Sequence, residues 1–349
     1  MEFGVYHEFP SLAGQPDTVA FDGAFDLVEA ADRWGLDIMW LAELHFDPDR
    51  SVLSAPLCVA SAAAARTQRI RIGIGVQVLP LANPLRIAEE VATADQISHG
   101  RLILGVGRSG VARTYEAYNV PYGESRGRFA ETLAILEKAW AQPVVSHHGE
   151  YFSFQDVHVT PRPFQPGGPP VYIAASSTDT YATIGRRGKP ILMGVKHEDA
   201  RELLPYIKAY REAWIEAGHP GEGHVTMRAP GYIAATEAAA RAEAEASLIH
   251  YYRAQAALQL DSAGRAGVDG ADRKVMAARR LNAITYEEAL RGSVLIGTPN
   301  RVSDQLLALQ RDVGLDGVMI EMNCGGLIPH DKEKEALRLL CQEVMPRFR

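Results

Sequence analysis

Two arginines and a run of hydroxyls are the residues of this chain best suited to chemistry with an anion. Arg108 closes the strand-like segment G-R-L-I-L-G-V-G-R, and Arg126 follows within E-S-R. Ser176, Ser177 and Thr180 stand where the apolar run Val171 to Ala174 gives way to a helix. Guanidinium groups make bidentate, charge-assisted bonds to phosphate, and the free amides and macrodipole of a helix start point at the same group. A terminal phosphate fits this set; the competing reading is a surface helix capped by Arg126 and a plain serine turn. Gly73-Ile74-Gly75-Val76-Gln77 ends another strand with small residues, which admits either a flat ring against the backbone or a simple bulge. Glu43, Leu44 and His45 end a third strand. A histidine beside a carboxylate suits proton transfer near neutral pH, and it also suits a purely structural role. His7 ends the first strand on the same face, where it would line a pocket, whereas His147 and His148 fall in a segment expected to be solvated.

These residues share one expected position, the carboxyl ends of parallel strands. Between Arg69 and Arg108 the chain reads strand, helix, strand, the order of two parallel neighbours in a buried sheet, and α/β folds open their ligand sites at strand carboxyl ends. Hydrophobic periods predict strands at Phe3–Tyr6, Ile38–Ala42, Ile70–Val78, Leu102–Val106, Val171–Ala174, Ile191–Met193, Met227–Ala235 and Gly317–Met322. Eight strands with helices between most of them describe a (β/α)8 TIM barrel. Helices are expected at Thr18–Trp34, Ala55–Arg66, Glu198–Ala217 and Lys332–Val344, and Tyr151–Phe154 as one side of a hairpin outside the sheet. The polar stretch from about residue 251 to 293 shows no clean strand and is too long for an ordinary connection. It reads as an insertion before the last strand, with a mobile part over the site or as a simple helical elaboration.

The G-x-G-x-x-G at Gly105 to Gly110 is a decoy: a dinucleotide site needs a helix at once and an acidic residue about 20 positions on, and neither follows. With 349 residues, 47% hydrophobic and 23% charged, and no linker, the chain is expected to form a single globular domain spanning 1–349. Its net charge of -7 argues against a general nucleic-acid or anionic-membrane binder. Three cysteines without C-x-x-C spacing suggest neither a disulfide framework nor structural zinc, and no histidine, cysteine or carboxylate cluster has metal-ligand spacing. The first ten residues lack a basic-then-apolar leader, and no apolar window reaches a membrane span, so a cytoplasmic location is expected.

The chain also resembles the bacterial luciferase-like flavin-dependent monooxygenases. The resemblance rests on W-L-A-E-L-H-F (Trp40 to Phe46), L-P-x-x-N-P-x-R (Leu79 to Arg86) and D-Q-I-S-H-G-R-L-I-L-G-V-G-R (Asp95 to Arg108). It extends through E-S-R (Glu124 to Arg126), P-V-Y-I-A-A-S-S (Pro170 to Ser177), R-G-K-P-I-L (Arg187 to Leu192), G-T-P (Gly297 to Pro299) and V-M-P (Val344 to Pro346). It implies a barrel that uses reduced FMN, supplied by a separate flavin reductase, and dioxygen to oxygenate a small aldehyde-like or ketone-like substrate, the chain pairing as a dimer. Arg108 and Arg126 match the family's phosphate-binding arginines, and Ser176, Ser177 and Thr180 its serine/threonine strip, which commonly opens Glu-Ser. A cis Gly75–Val76 peptide against the flavin ring is implied as well. Where the family usually has Glu-His-His this chain has Leu44 in place of the usual base, leaving Glu43 and His45 to handle protons, and the position of the reactive cysteine is Gly107. The resemblance leaves two rivals: an enzyme that transfers hydride with an 8-hydroxy-deazaflavin, and a non-catalytic flavin-binding partner subunit.

Overall fold

The apolar runs become strands because each is buried on both faces, and the caps that bound the helices between them are local. In chain order these are β1 (Glu2–His7), α1 (Asp17–Trp34), β2 (Ile38–Leu41), α2 (Pro56–Arg66), β3 (Arg71–Val78), α3 (Pro84–Ser98) and β4 (Leu102–Gly107). A short α4 (Ala112–Ala117), α5 (Ser125–Ala141) and an antiparallel hairpin of β5 (Val145–His148) and β6 (Ser153–Val157) lead to β7 (Val171–Ala175), α6 (Thr178–Arg186), β8 (Ile191–Gly194), α7 (Leu204–Glu216) and β9 (Val225–Ile233). Then come α8 (Glu237–Ala263), α9 (Ala271–Ala283), α10 (Tyr286–Ala289), β10 (Leu295–Gly297), α11 (Pro299–Val313), β11 (Gly317–Glu321) and α12 (His330–Leu339). The computed structural model describes residues 1–11, 13–175, 178–265, 267 and 270–349.

Parallel pairing runs β1-β2-β3-β4-β7-β8-β9-β11 and returns to β1, so eight strands close a barrel with helices around it. This is the (β/α)8 architecture the hydrophobic pattern predicts. Capping explains several helix starts: the Asn83 side chain accepts from the Leu85 and Arg86 amides ahead of Pro84, and Thr236 and Thr298 cap α8 and α11. Gly35 and Gly314, both with positive φ, end α1 and α11.

Four details differ from the sequence expectation. The helix expected at Glu198–Ala217 is a 3-10 turn at Ala200–Leu203 followed by α7, with Pro205 confined to the first helical turn. The hairpin strand lies at Ser153–Val157, and Tyr151 sits in the turn, its amide held by Glu131. The three-residue strand β10, too short to carry a period, pairs with the far end of β9. The closing helix is regular only to Leu339; a π turn covers Leu340–Val344.

Trp40 packs inside the barrel. It is fully buried, and side chains at Gly4 on β1 or Gly73 on β3 would collide with its ring, at 2.6 and 2.3 Å. Tyr172 of β7 meets the ring edge-on with centroids 5.8 Å apart. Gly73→Ala is therefore expected to destabilise the fold by about 1–3 kcal/mol through overpacking, read as a lowered denaturant midpoint. Trp40→Phe removes the ring atoms that a Gly73 side chain would strike. A double-mutant cycle should show the two changes compensating, and simple additivity would refute the contact.

Candidate active site

Side-chain alternation decides what the mouth of the barrel presents. Side chains at Gly73, Gly105 and Gly107 would meet Trp40, Leu192 and Val76, respectively, which places these positions on the barrel's inner face. Above Trp40 the inward positions of four adjacent strands carry almost no side chain: Gly75 on β3, Gly107 on β4, Ala174 on β7 and Gly194 on β8. Most strand residues are buried, yet Gly75, Val76 and Ala174 are partly exposed and Gly194 is exposed. The Gly75–Val76 peptide is cis, and the β3–β4 register shifts between Ile74 and Gln77. A side chain at Gly107 would meet the Val76 Cγ2 atom at 2.5 Å, so no cysteine fits there without displacing Val76. The result is a shelf with backbone for its floor.

The opposite half of the mouth is charged. Arg50 forms a two-point ion pair with Glu8, and Arg228 stacks over the Tyr6 ring at 3.9 Å and bonds Glu321 at 2.5 Å and Glu8 at 3.3 Å. Burial, opposed by Arg228 and aided by Glu8, raises the Glu321 carboxyl to about 7, while Arg50 and Arg228 hold Glu8 below the usual carboxylate range despite its burial. Glu321 Oε1 has no hydrogen-bond partner. The sequence reading missed these four residues, which come from the position after β1, the β2–α2 loop, β9 and β11. A charged residue at the end of a barrel strand was the available signal for Glu8 and Glu321; Arg50 in its loop and Arg228 within β9 carry none.

At the rim between these halves, the Glu43 carboxylate accepts from the Gln77 side chain at 2.6 Å and the Val78 amide at 2.8 Å through one oxygen. Its other oxygen lies 2.8 Å from His45 Nε2. Because a carboxylate only accepts, this contact puts the proton of a neutral His45 on Nε2 and leaves Nδ1 as the open nitrogen, 3.3 Å from the Tyr118 hydroxyl. Glu43 thus fixes one face of an imidazole whose other face can take or give a proton. Leu44 packs on the core instead. His7 is turned outward: its Nδ1 accepts from the Phe9 amide and its Nε2 faces Glu333 of α12 at 3.3 Å, so it does not line the mouth. His148 is exposed as expected, whereas His147 is half-buried against Glu131 at 3.1 Å.

Arg108 follows β4, and its Nη1 donates to the Ser125 hydroxyl at 3.3 Å, which sets it beside Arg126 at the start of α5. Arg126 is exposed and makes no hydrogen bond or ion pair with another described residue. Thr180 is half-buried in the first turn of α6, at the end of the neighbouring strand; Ser176 and Ser177 lie outside the described residues.

The long helix α8 spans about 40 Å at 1.5 Å per residue and roofs this mouth. It is fastened where Ser247 bonds the Cys324 carbonyl after β11, where Tyr252 bonds the Lys196 carbonyl after β8, and where Ser262 bonds the Gly110 carbonyl after β4. A cavity of about 310 Å³ remains between α8 and the β2–α2 loop, lined by Arg50, Arg113, Tyr251 and Leu258 among others. Of the stretch expected to be mobile, Asp261 to Ala263 complete α8, and Ala266, Val268 and Asp269 lie outside the described residues.

The luciferase-like monooxygenase family matches residues 1–316. Among curated relatives, the oxygenase component of the flavin-dependent trigonelline monooxygenase of Acinetobacter baylyi is 24% identical over 335 residues, covering 94% of this chain and 90% of that protein. The F420-dependent glucose-6-phosphate dehydrogenase of Kineococcus radiotolerans is 34% identical over 210 residues, 57% of this chain and 60% of that one. The chain spans about half the length of other curated relatives, 49% and 54% in two cases. Among solved structures, the oxygenating constituent of 3,6-diketocamphane monooxygenase from Pseudomonas putida, in complex with FMN, superposes with a TM-score of 0.81 at 21% identity, covering 99% of this chain and 98% of that one.

Two measurements test this geometry. Nitrogen NMR of the histidines should find the His45 proton on Nε2, and Glu43→Gln should abolish that single-tautomer signature; an Nδ1-protonated His45 in the unaltered chain would refute the arrangement. The raised Glu321 carboxyl means that the folded state binds a proton more tightly than the unfolded one between about pH 4.5 and 7. Its contribution to stability is therefore present at acid pH and lost as pH rises toward 7, at up to about 1.4 kcal/mol per pH unit. Glu321→Gln should flatten the fall of the denaturant midpoint over that window, and an unchanged slope would contradict the assignment.

Proposed function

The chain belongs to the luciferase-like monooxygenase family, and from that premise we propose that it is the oxygenating component of an FMN-dependent monooxygenase acting on a small organic substrate. The observation that carries this reading is the glycine and alanine shelf of Gly75, Gly107, Ala174 and Gly194, with the Val76 side chain beside Gly107, next to two arginines. A flat tricyclic ring fits that backbone floor, and Arg126, exposed and unpaired among described residues, fits its phosphate. The Gln77 Oε1 atom, buried beside the shelf without a hydrogen-bond partner, is a further polar group for the ring edge to meet.

In this reading Arg108 and Arg126 bind the phosphate, together with Thr180 in the first turn of α6 and with Ser176 and Ser177, which precede that helix in sequence. The chemistry supplied by the bound, reduced flavin is activation of dioxygen, one oxygen atom going to the substrate and the other leaving as water. The protein's part is to exclude bulk water under α8 and to manage one proton. His45 Nδ1 takes or returns that proton, while Glu43 fixes the ring and balances the charge of the imidazolium, as a buried carboxylate does for a catalytic histidine. Leu44, where the family usually places its base, contributes only an apolar wall.

A relative known as an oxygenase component supports a separate flavin reductase as partner. Pairing through the outer barrel helices into a homodimer belongs to the same proposal, and sedimentation reads it directly. A deazaflavin enzyme is the second reading, favoured by the F420-dependent relative; absorbance after reconstitution with each cofactor separates the two. In the described residues no helix is long and apolar enough to cross a membrane, and no group of three or more metal-ligating side chains occurs.

Arg126→Ala should weaken FMN binding by about 1.5–3 kcal/mol and leave riboflavin binding almost unchanged, since riboflavin lacks the phosphate. Equal losses for both would overturn the phosphate assignment. In single-turnover reactions with reduced FMN, dioxygen and a panel of aldehydes and ketones, product mass should rise by one oxygen atom. His45→Ala should slow that step by about 10²-fold with FMN affinity unchanged. A chain that binds FMN yet oxygenates nothing would be a partner subunit.

A further inference from the structure

Lys196 is a charge that the mechanism leaves unused. Strand β8 ends at Gly194, but the Val195 amide still bonds the Arg228 carbonyl at 2.9 Å, so the alternation that turns Leu192 and Gly194 inward carries on to Lys196. The lysine stands at the edge of the shelf, half-buried beneath α8, with its carbonyl held by Tyr252 at 2.8 Å. Its Nζ makes no hydrogen bond or ion pair with another described residue.

The carboxylates around it are engaged elsewhere. Glu8 and Glu321 pair with Arg50 and Arg228. Glu198 accepts from the backbone amides of Lys196 and His197, at 2.9 and 3.2 Å. Burial lowers the Lys196 ammonium below the usual lysine range, Arg228, Arg50 and Lys274 add to that, and Glu198 opposes it. Lys274, reaching from α9 to the Gly110 carbonyl at 3.5 Å, is lowered too, by burial and Arg273. Lys196 thus stands among the cations Arg50, Arg228 and Lys274, while the two buried carboxylates, Glu8 and Glu321, are already paired with Arg50 and Arg228, and Glu321 is raised toward its neutral form. A buried cation without a partner is costly, and an anion that arrives at the shelf edge removes the cost.

We infer that Lys196 is the residue that sets the site's preference for reduced over oxidised FMN, its ammonium being the counter-charge for the anionic, reduced form of the flavin at the edge of its ring. The inference rests on the flavin reading above. Oxidised FMN carries the same phosphate and the same ring area but lacks the extra charge on the ring, so Lys196 discriminates between the two forms while the shelf and the arginines do not. Such a preference suits a chain that receives its cofactor already reduced.

The test is anaerobic titration of the full chain with oxidised and with reduced FMN, no substrate present, together with the midpoint potential of the bound flavin against a reference dye. The unaltered chain should bind reduced FMN more tightly. Lys196→Gln should lower the reduced-to-oxidised affinity ratio about tenfold or more, a fall of about 30 mV in midpoint potential per tenfold for a two-electron couple. Its affinity for oxidised FMN should stay the same, which also shows that the variant is folded, and Lys196→Arg should restore most of the ratio. An unchanged ratio in Lys196→Gln, with oxidised FMN still bound, overturns the inference. A chain that binds neither form of FMN overturns the flavin reading itself.

Discussion

An eight-stranded barrel has an interior only wide enough for side chains to fill it, and in this protein a fully buried indole, met edge-on by Tyr172, is central to that filling. Trp40 lies between Gly4 and Gly73, whose missing side chains make room for it. With a rigid ring packed in the lower interior, the layer above can be emptied of side chains without leaving a void inside the core, because that layer faces the mouth. The glycine and alanine shelf depends on that packing. It is a surface made by omission on four adjacent strands.

The charged half of the mouth follows from the same geometry. Inward positions of β9, of β11 and just after β1 at this height point at one another across a few ångströms, and the side chains there are Arg228, Glu321 and Glu8, joined by Arg50 from the β2–α2 loop. Burying four charges is tolerable only when each finds a partner, and the cluster therefore ties that loop to three strands. The loop carries His45 at its start, so the ionic cluster and the Glu43 bonds to Gln77 and Val78 together hold the imidazole from two sides. The roof helix α8 adds a third constraint through carbonyls that follow β4, β8 and β11.

Much of this was legible in the chain itself. Period-two and period-3.6 patterns located the eight barrel strands and most helices, because burial on both faces selects continuous apolar runs and caps act within a few residues. The clustering of Glu43, His45, Gly75 and Arg108 at one end also followed, since every parallel strand delivers its last residue to the same face. The misses have physical causes. Strand β10 is shorter than any detectable period, and the direction in which His7 turns depends on Glu333 some three hundred residues away.

Local sequence therefore determined the kind of elements, their order, and which residues stand at strand ends, because those properties are set by neighbours along the chain. Only the closed barrel decided which of those end residues face one another. Whether a glycine is a hinge or a shelf, whether Lys196 has a carboxylate beside it, and which nitrogen of His45 is free all depend on contacts between strands far apart in sequence. Those contacts exist only once β8 pairs with β9 and β11 with β1, for closure is what brings the strand ends together at the distances where charge and hydrogen bonding act.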